Sequence, residues 1–444
     1  MTHDLMFKAG AAKTDITPQV GCWLEGIPRA EPSNAIHDPL YARALVVEYS
    51  DDAEEGTGKK ICLVTCDLIG LSNQFSKAVR ERIANALGAT AANVVIACAH
   101  NHSGPATLGI FEEDHVDKEY LDLLCSKLVE VSRGATDSLE PALLGIGRGE
   151  ETTVSEYRRL LTRDGSIVMN WEEYSQEEIV GPAEEGDPEV GVVKIVSTTG
   201  QTIAVIFNYA CHPNSMPGDN FTITADFPGY AADLIEKELG GVAIFTNAAQ
   251  GSVDIEGFDG RDFGGVERRG VALGEAVLDV CREIKARPDP AIRAARRVFL
   301  LPYRVVPPET LEWARDIASR ATGEAVTLRD GISDEIKAEN ILHHVGRSKP
   351  GVDFEMVGIR LGGCAFFTIP GELFTEIGKQ MKALSSSLQI HVIGLANGYH
   401  GYISTARASA EGGYATDVAS GAYFAEDAED LICQNTEIVL TLLG

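Results

Sequence analysis

Apolar runs rich in β-branched residues recur at 42–49, 60–67, 93–99, 191–197, 202–209, 292–304, 356–361, 364–369 and 390–395, and these predict strands. Several, such as Ile61-Cys-Leu-Val-Thr-Cys66 and Val94-Val-Ile-Ala-Cys98, do not alternate with polar residues. An uninterrupted apolar strand is one covered on both faces. Segments with helical periodicity lie between them, at 72–87, 117–134, 228–240, 264–286, 308–322, 334–346, 372–386 and 423–443. The interleaving predicts an α/β (mixed α+β) fold, and in open sheets of this kind ligands bind beyond the carboxyl ends of strands.

No repeat, low-complexity tract or Pro/Gly/Ser linker interrupts the 444 residues, so the expectation is a single large composite domain over 1–444. The acidic stretch 150–190 lacks periodicity and reads equally well as an inserted flap or a surface excursion. With 66 acidic against 38 basic residues the formal net charge is -28, which repels phosphate backbones and anionic lipid. Nucleic acid and stable membrane association are therefore excluded as expectations; a small-molecule substrate is expected, and homo-oligomerisation stays open. The nine cysteines are odd in number and form no C-x-x-C pair, as in a reduced chain. The first residues, Met-Thr-His-Asp-Leu-Met-Phe-Lys, carry no signal-peptide pattern. The expected location is the cytoplasm.

Four places just past apolar strands carry chemistry. His100 and His102, in Ala99-His-Asn-His-Ser-Gly-Pro105, form an H-x-H that points two imidazoles to one side of the chain. His212 follows the run 203–207; alone, such a histidine is more often a packing residue. Glu372, in Ile369-Pro-Gly-Glu372, is read as opening a helix, where an acid complements the macrodipole without any further role. Tyr402 lies in the Gly- and aromatic-rich stretch 394–405, which could equally be a set of turns. None decides singly; two histidines, a carboxylate and a tyrosine together fit a catalytic zinc with an open position. H-x-H-x-D-H and H-E-x-x-H are absent, and His343-His344 reads as surface or packing.

The stretches Ala9-Gly-Ala-Ala-Lys-Thr-Asp-Ile-Thr-Pro18, Asp38-Pro-Leu-Tyr-Ala-Arg-Ala44, Ala99-His-Asn-His-Ser-Gly-Pro105, Cys211-His-Pro-Asn-Ser-Met216, Pro370-Gly-Glu372 and Asn397 to Tyr414 give the chain its resemblance to the catalytic domain of the neutral/alkaline non-lysosomal ceramidase family. The resemblance implies one Zn2+ ion held by His100, His212, Glu372 and Tyr402, with His102 and Tyr414 steadying an oxyanion. The chain departs from the family at Thr246-Asn-Ala-Ala-Gln-Gly-Ser-Val-Asp254, where Asp254 stands in place of a nucleophile-like serine and Ser252 is displaced by two residues. No C-terminal immunoglobulin-like domain is expected after Gly444. Ceramide itself is then not the expected substrate; a small polar amide is.

Zinc lowers the pKa of its water to about 7 and polarises a carbonyl, so no protein nucleophile is needed. Asp254 is expected either as a general base or as a group that orients a ligand, with Asp226 and Asn247 as further supports. Two alternatives remain at this level: an esterase or deacetylase using the same groups, and a non-catalytic metal-binding homologue.

Overall fold

An eight-stranded sheet and a four-stranded sheet lie face to face in the computed structural model, which describes residues 7–49, 59–257, 260–288, 291–322 and 326–444. The larger sheet comprises β1 (Phe7–Asp15), β2 (Tyr41–Tyr49), β3 (Lys59–Cys66), β4 (Val94–Cys98), β5 (Glu140–Glu150), β6 (Glu189–Ser197), β7 (Thr202–Tyr209) and β8 (Val242–Asn247), in the order β8-β7-β6-β5-β1-β2-β3-β4. The smaller runs β9 (Ile292–Pro302), β10 (Gly351–Leu361), β11 (Cys364–Thr368), β12 (Gln389–Ile393). The helices are α1 (Asn73–Leu87), α2 (Lys118–Asp137), α3 (Asp226–Leu239), α4 (Phe263–Glu283), α5 (Pro308–Arg320), α6 (Asp334–Val345), α7 (Thr375–Ala383), α8 (Ala406–Glu411) and α9 (Ala428–Leu443).

The period of two in each strand sorts its side chains between layers. Cys62, Val64 and Cys66 of β3 pack with Val79 and Ile83 of α1 and Leu124 and Leu128 of α2, while Ile61 and Leu63 turn to the opposite sheet. On β11, Cys364 and Phe366 meet the large sheet, and Ala365 and Phe367 meet Ile377 of α7 and Val439 of α9. The result is four layers, helix, sheet, sheet, helix. The inner strands are covered on both faces, which is why they read as unbroken apolar runs, while β9 at the edge of the small sheet leaves Arg293, Arg296 and Arg297 exposed.

Three pairs of parallel strands carry the topology that matters. β3 and β4, β7 and β8, and β11 and β12 are each parallel and each joined by one helix, α1, α3 and α7 respectively. Parallel neighbours point their carboxyl ends the same way, so each pair delivers two loops to one edge.

All the expected strands form, and the expected helices form with shifted ends. One expectation needs correcting: Glu372 does not open a helix. Glu372–Leu373 is a short strand paired in parallel with Tyr402–Ile403, its amide donating to Gly401 O at 3.0 Å, and α7 starts only at Thr375. The backbone finds its hydrogen-bond partner in a neighbouring loop before it can wind. The stretch 150–190 carries short strands of its own, and Ser155–Tyr157 pairs with Val253–Ile255, which ties the excursion to the strand ends.

Candidate functional site

His100 follows β4 in the left-handed region at φ 71, with its amide donating to Leu68 O at 2.9 Å. Its Nδ1 donates to Ile69 O at 3.0 Å, and the Nδ1 of His212, just past β7, donates to Val253 O at 2.8 Å. A carbonyl can only accept, so both rings carry a hydrogen on Nδ1, and in its neutral form each presents a lone pair at Nε2. Those two Nε2 atoms lie 3.1 and 3.0 Å from one oxygen, Glu372 Oε2. The other, Oε1, accepts from the Tyr399 hydroxyl at 2.7 Å. Burial pushes the Glu372 carboxyl up, but positive charge and N–H donation at the Nε2 positions of His100 and His212 outweigh it and hold the group well below the usual carboxylate range, the same service a cation at that point would render. Burial, with Arg158 nearby, pushes His212 down to about 4.

Three electron-pair donors around one point repel one another unless a cation lies among them. His102 extends the set: its ring stands edge-on to His100 at 4.8 Å and to His212 at 5.7 Å. The ligand nitrogens of His100, His102 and His212 all lie within 4.8 Å of one another. Both ring nitrogens of His102 are buried with no hydrogen-bond partner among the described residues. A neutral nitrogen-and-carboxylate set of this kind suits a borderline ion such as Zn2+.

Beside it lies a cluster of phenols around a cation that sequence reasoning missed. The buried Arg158 guanidinium hydrogen-bonds the Tyr402 hydroxyl, donates to Gly251 O at 2.6 Å, and lies 5.2, 5.6 and 5.5 Å from the rings of Tyr402, Tyr414 and Trp171. Tyr402 and Tyr414 are hydrogen-bonded to each other, and burial pushes Tyr414 up to about 12. Tyr402 stacks on His212 at 6.4 Å between ring centres, its hydroxyl turned to Arg158 and Tyr414. Asp254 sits 3.8 Å from Arg158 and accepts from Ile255 N at 2.8 Å; burial, partly offset by Arg158, pushes it up to about 6. Nothing local in Tyr157-Arg-Arg159 marks Arg158, because its partners come from chain segments far apart. Tyr399 escaped notice for the same reason.

The supporting residues bind strand ends to each other. Asn247 donates to Ala99 O and Cys211 O, both at 2.8 Å, and so links the backbones that carry His100 and His212. Asp226, at φ 56, accepts from Ser215 N and Phe227 N and fixes the turn into α3. Ser252 lies apart from this chemistry: its hydroxyl accepts from Thr375 N at 2.9 Å and donates to Glu376 at 2.8 Å, capping α7. His344 is packing, stacked on Tyr423 and bonded to Arg304 O.

All seven residues named from the sequence, His100, His102, His212, Asp254, Glu372, Tyr402 and Tyr414, line one cleft of about 1520 Å³. Part of its wall is the loop Thr107–Ile110, held by Glu25, whose carboxylate accepts three backbone N–H groups from it. Farther out the wall is charged, with Lys77, Arg80, Arg296, Asp330, Glu339 and Asp353 among its lining.

Fold and site define a four-layer α/β protein with a buried imidazole and carboxylate centre at the ends of its parallel strands. Residues 7–258, more than half of the chain, match the model of the neutral/alkaline non-lysosomal ceramidase family, N-terminal part, and the chain belongs to that family. It is 26% identical to the neutral ceramidase of Pseudomonas aeruginosa over 267 residues, 56% of this chain and 37% of that protein. With neutral ceramidase B of Dictyostelium discoideum it shares 27% over 241 residues, 49% of this chain and 31% of that one. The match thus spans about a third of these relatives' length. The crystal structure of the Pseudomonas aeruginosa enzyme superposes with a TM-score of 0.72 at 18% identity, covering 99% of this chain and 75% of that one.

Proposed function

We propose that this chain is a zinc-dependent hydrolase that cleaves the amide (C–N) bond of a small, polar substrate. The observation that carries the reading is the meeting of His100 Nε2 and His212 Nε2 at Glu372 Oε2, with His102 unpartnered beside them. Tyr402 is the proposed fourth ligand. A zinc ion there would supply Lewis acidity and make water reactive near neutral pH.

The chain's own groups supply the rest. His102 and Tyr414 face the cleft where negative charge develops on the carbonyl oxygen, and each can donate a hydrogen bond to it. Asp254, pushed up to about 6, can accept a proton from water and return it to the leaving nitrogen near neutral pH. Water's oxygen ends on the acyl carbon, and its proton on the released amine. Arg158 holds Asp254, Tyr402 and Tyr414 in register. The charged outer wall of the cleft favours a polar substrate over a purely aliphatic one. The relatives carry the name ceramidase, which fits an amide bond as the target. Nine free cysteines, most of them buried, support a reduced compartment, and we place the protein in the cytoplasm. Among the described residues no helix is long and apolar enough to cross a membrane.

The test is metal analysis of the purified protein followed by assay on paired amide and ester substrates with and without a chelator. Amide turnover that disappears on chelation and returns with zinc is expected. Turnover indifferent to chelation, or confined to esters, overturns the proposal.

A further inference from the structure

The cleft contains an arginine that the proposed chemistry does not use. Arg347 follows α6, and its guanidinium lies 4.6 Å from the ring centre of Tyr303 and 4.3 Å from that of Tyr423. The phenols are themselves fixed. His344, in the last turn of α6, stacks on Tyr423 at 5.4 Å and stands edge-on to Tyr303 at 5.1 Å, while its Nε2 holds Arg304 O at 2.9 Å. Tyr303 stacks in turn on Phe424, and its amide donates to Pro350 O. The cation thus packs against two rings whose planes are steeply inclined to each other, and no acceptor among the described residues takes a hydrogen bond from its side-chain N–H groups.

Although the chain is rich in acidic residues, no carboxylate among the described residues lies within ion-pair distance of Arg347. Glu339 and Asp353 line the same cleft without reaching it. Arg296, which lines the same cleft, is by contrast committed to Glu355 at 2.8 Å. Arg347 is joined to the reaction centre through Tyr423. Tyr423 presses on Gly401, where an added Cβ would come within 3.2 Å of its ring, and Gly401 immediately precedes Tyr402. The Tyr402 amide donates to Gly421 O at 3.0 Å, two residues before Tyr423.

We infer that Arg347, packed against Tyr303 and Tyr423, is the binding site for a carboxylate on the substrate, so that the amide cleaved is an N-acyl amino acid or a compound of that class. A planar guanidinium edge pairs with two carboxylate oxygens at once, and packing against aromatic rings restrains it without forming a hydrogen bond to any of those donors. This rests on the amidohydrolase reading for the bond that is cut, but the anion site itself does not.

The experiment therefore measures binding and turnover separately. Binding is measured by calorimetry with the ketomethylene isostere of hexanoylglycine, in which CH2 replaces the amide N–H so that nothing can be cleaved, and with the same ketone lacking the carboxylate. Wild type should bind the carboxylate form at least tenfold more tightly. Arg347→Gln, which keeps a planar group between the rings, should remove that difference and leave the ketone unchanged; Arg347→Lys should restore part of it. In turnover, Arg347→Gln should raise KM for N-acyl amino acids at least tenfold and leave kcat/KM for N-acyl alkylamines unaltered. Equal binding of the two ketones to wild type, or an unchanged preference in Arg347→Gln, overturns the inference. A preference that Arg347→Gln abolishes, in a protein that hydrolyses no amide, upholds the anion site and removes the hydrolase reading instead.

Discussion

Tyr414 and Asp254 have the most exposed roles, because each has a purely structural alternative. Tyr414 packs against Tyr402 and Trp171 at 5.8 and 5.3 Å between ring centres. Tyr414→Phe keeps that packing and removes the hydroxyl with its hydrogen bond to Tyr402. If the hydroxyl serves a developing oxyanion, kcat falls roughly 10²–10³-fold while stability falls by no more than one hydrogen bond contributes, about 1 kcal/mol; a loss of stability with kcat intact would make it a structural residue. Asp254 offers a test in pH. Its carboxyl is raised to about 6 in the fold, chiefly by burial, against an ordinary value of 3.8. Between those values the folded state binds more protons than the unfolded one, so this group's contribution is fully present below about pH 4 and is lost as pH rises through about 6. At fixed metal loading, denaturant titrations should show wild type losing stability over that window relative to Asp254→Asn, with a slope approaching about 1.4 kcal/mol per pH unit. Parallel curves would mean that Asp254 is ionised throughout and serves only to hold Arg158.

Ser252 separates helix capping from catalysis. Its hydroxyl holds the first turn of α7, the helix that crosses between β11 and β12 and begins three residues after Glu372. Ser252→Ala should cost about 1 kcal/mol of stability, as loss of a cap does, and leave turnover close to wild type. A collapse of kcat without loss of stability would restore the serine to the mechanism. The same elements show what a sequence discloses. β3, β4, β7 and β11 were legible because both faces are covered and each holds an unbroken apolar run of at least four residues. β5, Glu140-Pro-Ala-Leu-Leu-Gly-Ile-Gly-Arg-Gly-Glu150, was not, and its glycines explain why: a Cβ at Gly145 would come within 2.2 Å of Ile284, and at Gly147 or Gly149 within 2.6 or 2.7 Å of Val280. The chain running out of α4 packs straight onto bare backbone, so the strand signal of branched side chains is missing where packing is closest. β1 is similarly rich in Ala and Gly, and the short run Val242–Phe245 of β8 cannot be told by periodicity from a fragment of helix. His100, His212 and Glu372 were legible as polar residues placed just past strands. Arg158, Tyr399 and Arg347 were not, since each is defined by what it touches across the fold.

The three residues that meet at Glu372 Oε2 come from three separate parallel pairs: His100 from the end of β4, His212 from the end of β7, Glu372 from the loop after β11. The first two belong to the large sheet and the third to the small one, so a bound ion would bridge the two sheets at the edge where their apolar interface ends. Metal binding then couples to global stability. An ion that binds only the folded chain adds RT ln(1 + [L]/Kd), about 2.7 kcal/mol at a hundredfold excess over Kd. Without it, the repulsion among Glu372 and the two Nε2 lone pairs is left uncompensated at that same edge. Chelation should therefore lower the melting temperature by a few degrees and abolish turnover together, with zinc restoring both in parallel as it is titrated back. Glu372→Gln should remove the zinc dependence of both quantities, because the amide lacks the charge that balances the ion. Complete removal of metal, verified by elemental analysis, with melting and turnover both unmoved would mean that no ion joins the sheets here, and that the imidazoles and the carboxylate are held together by protons alone.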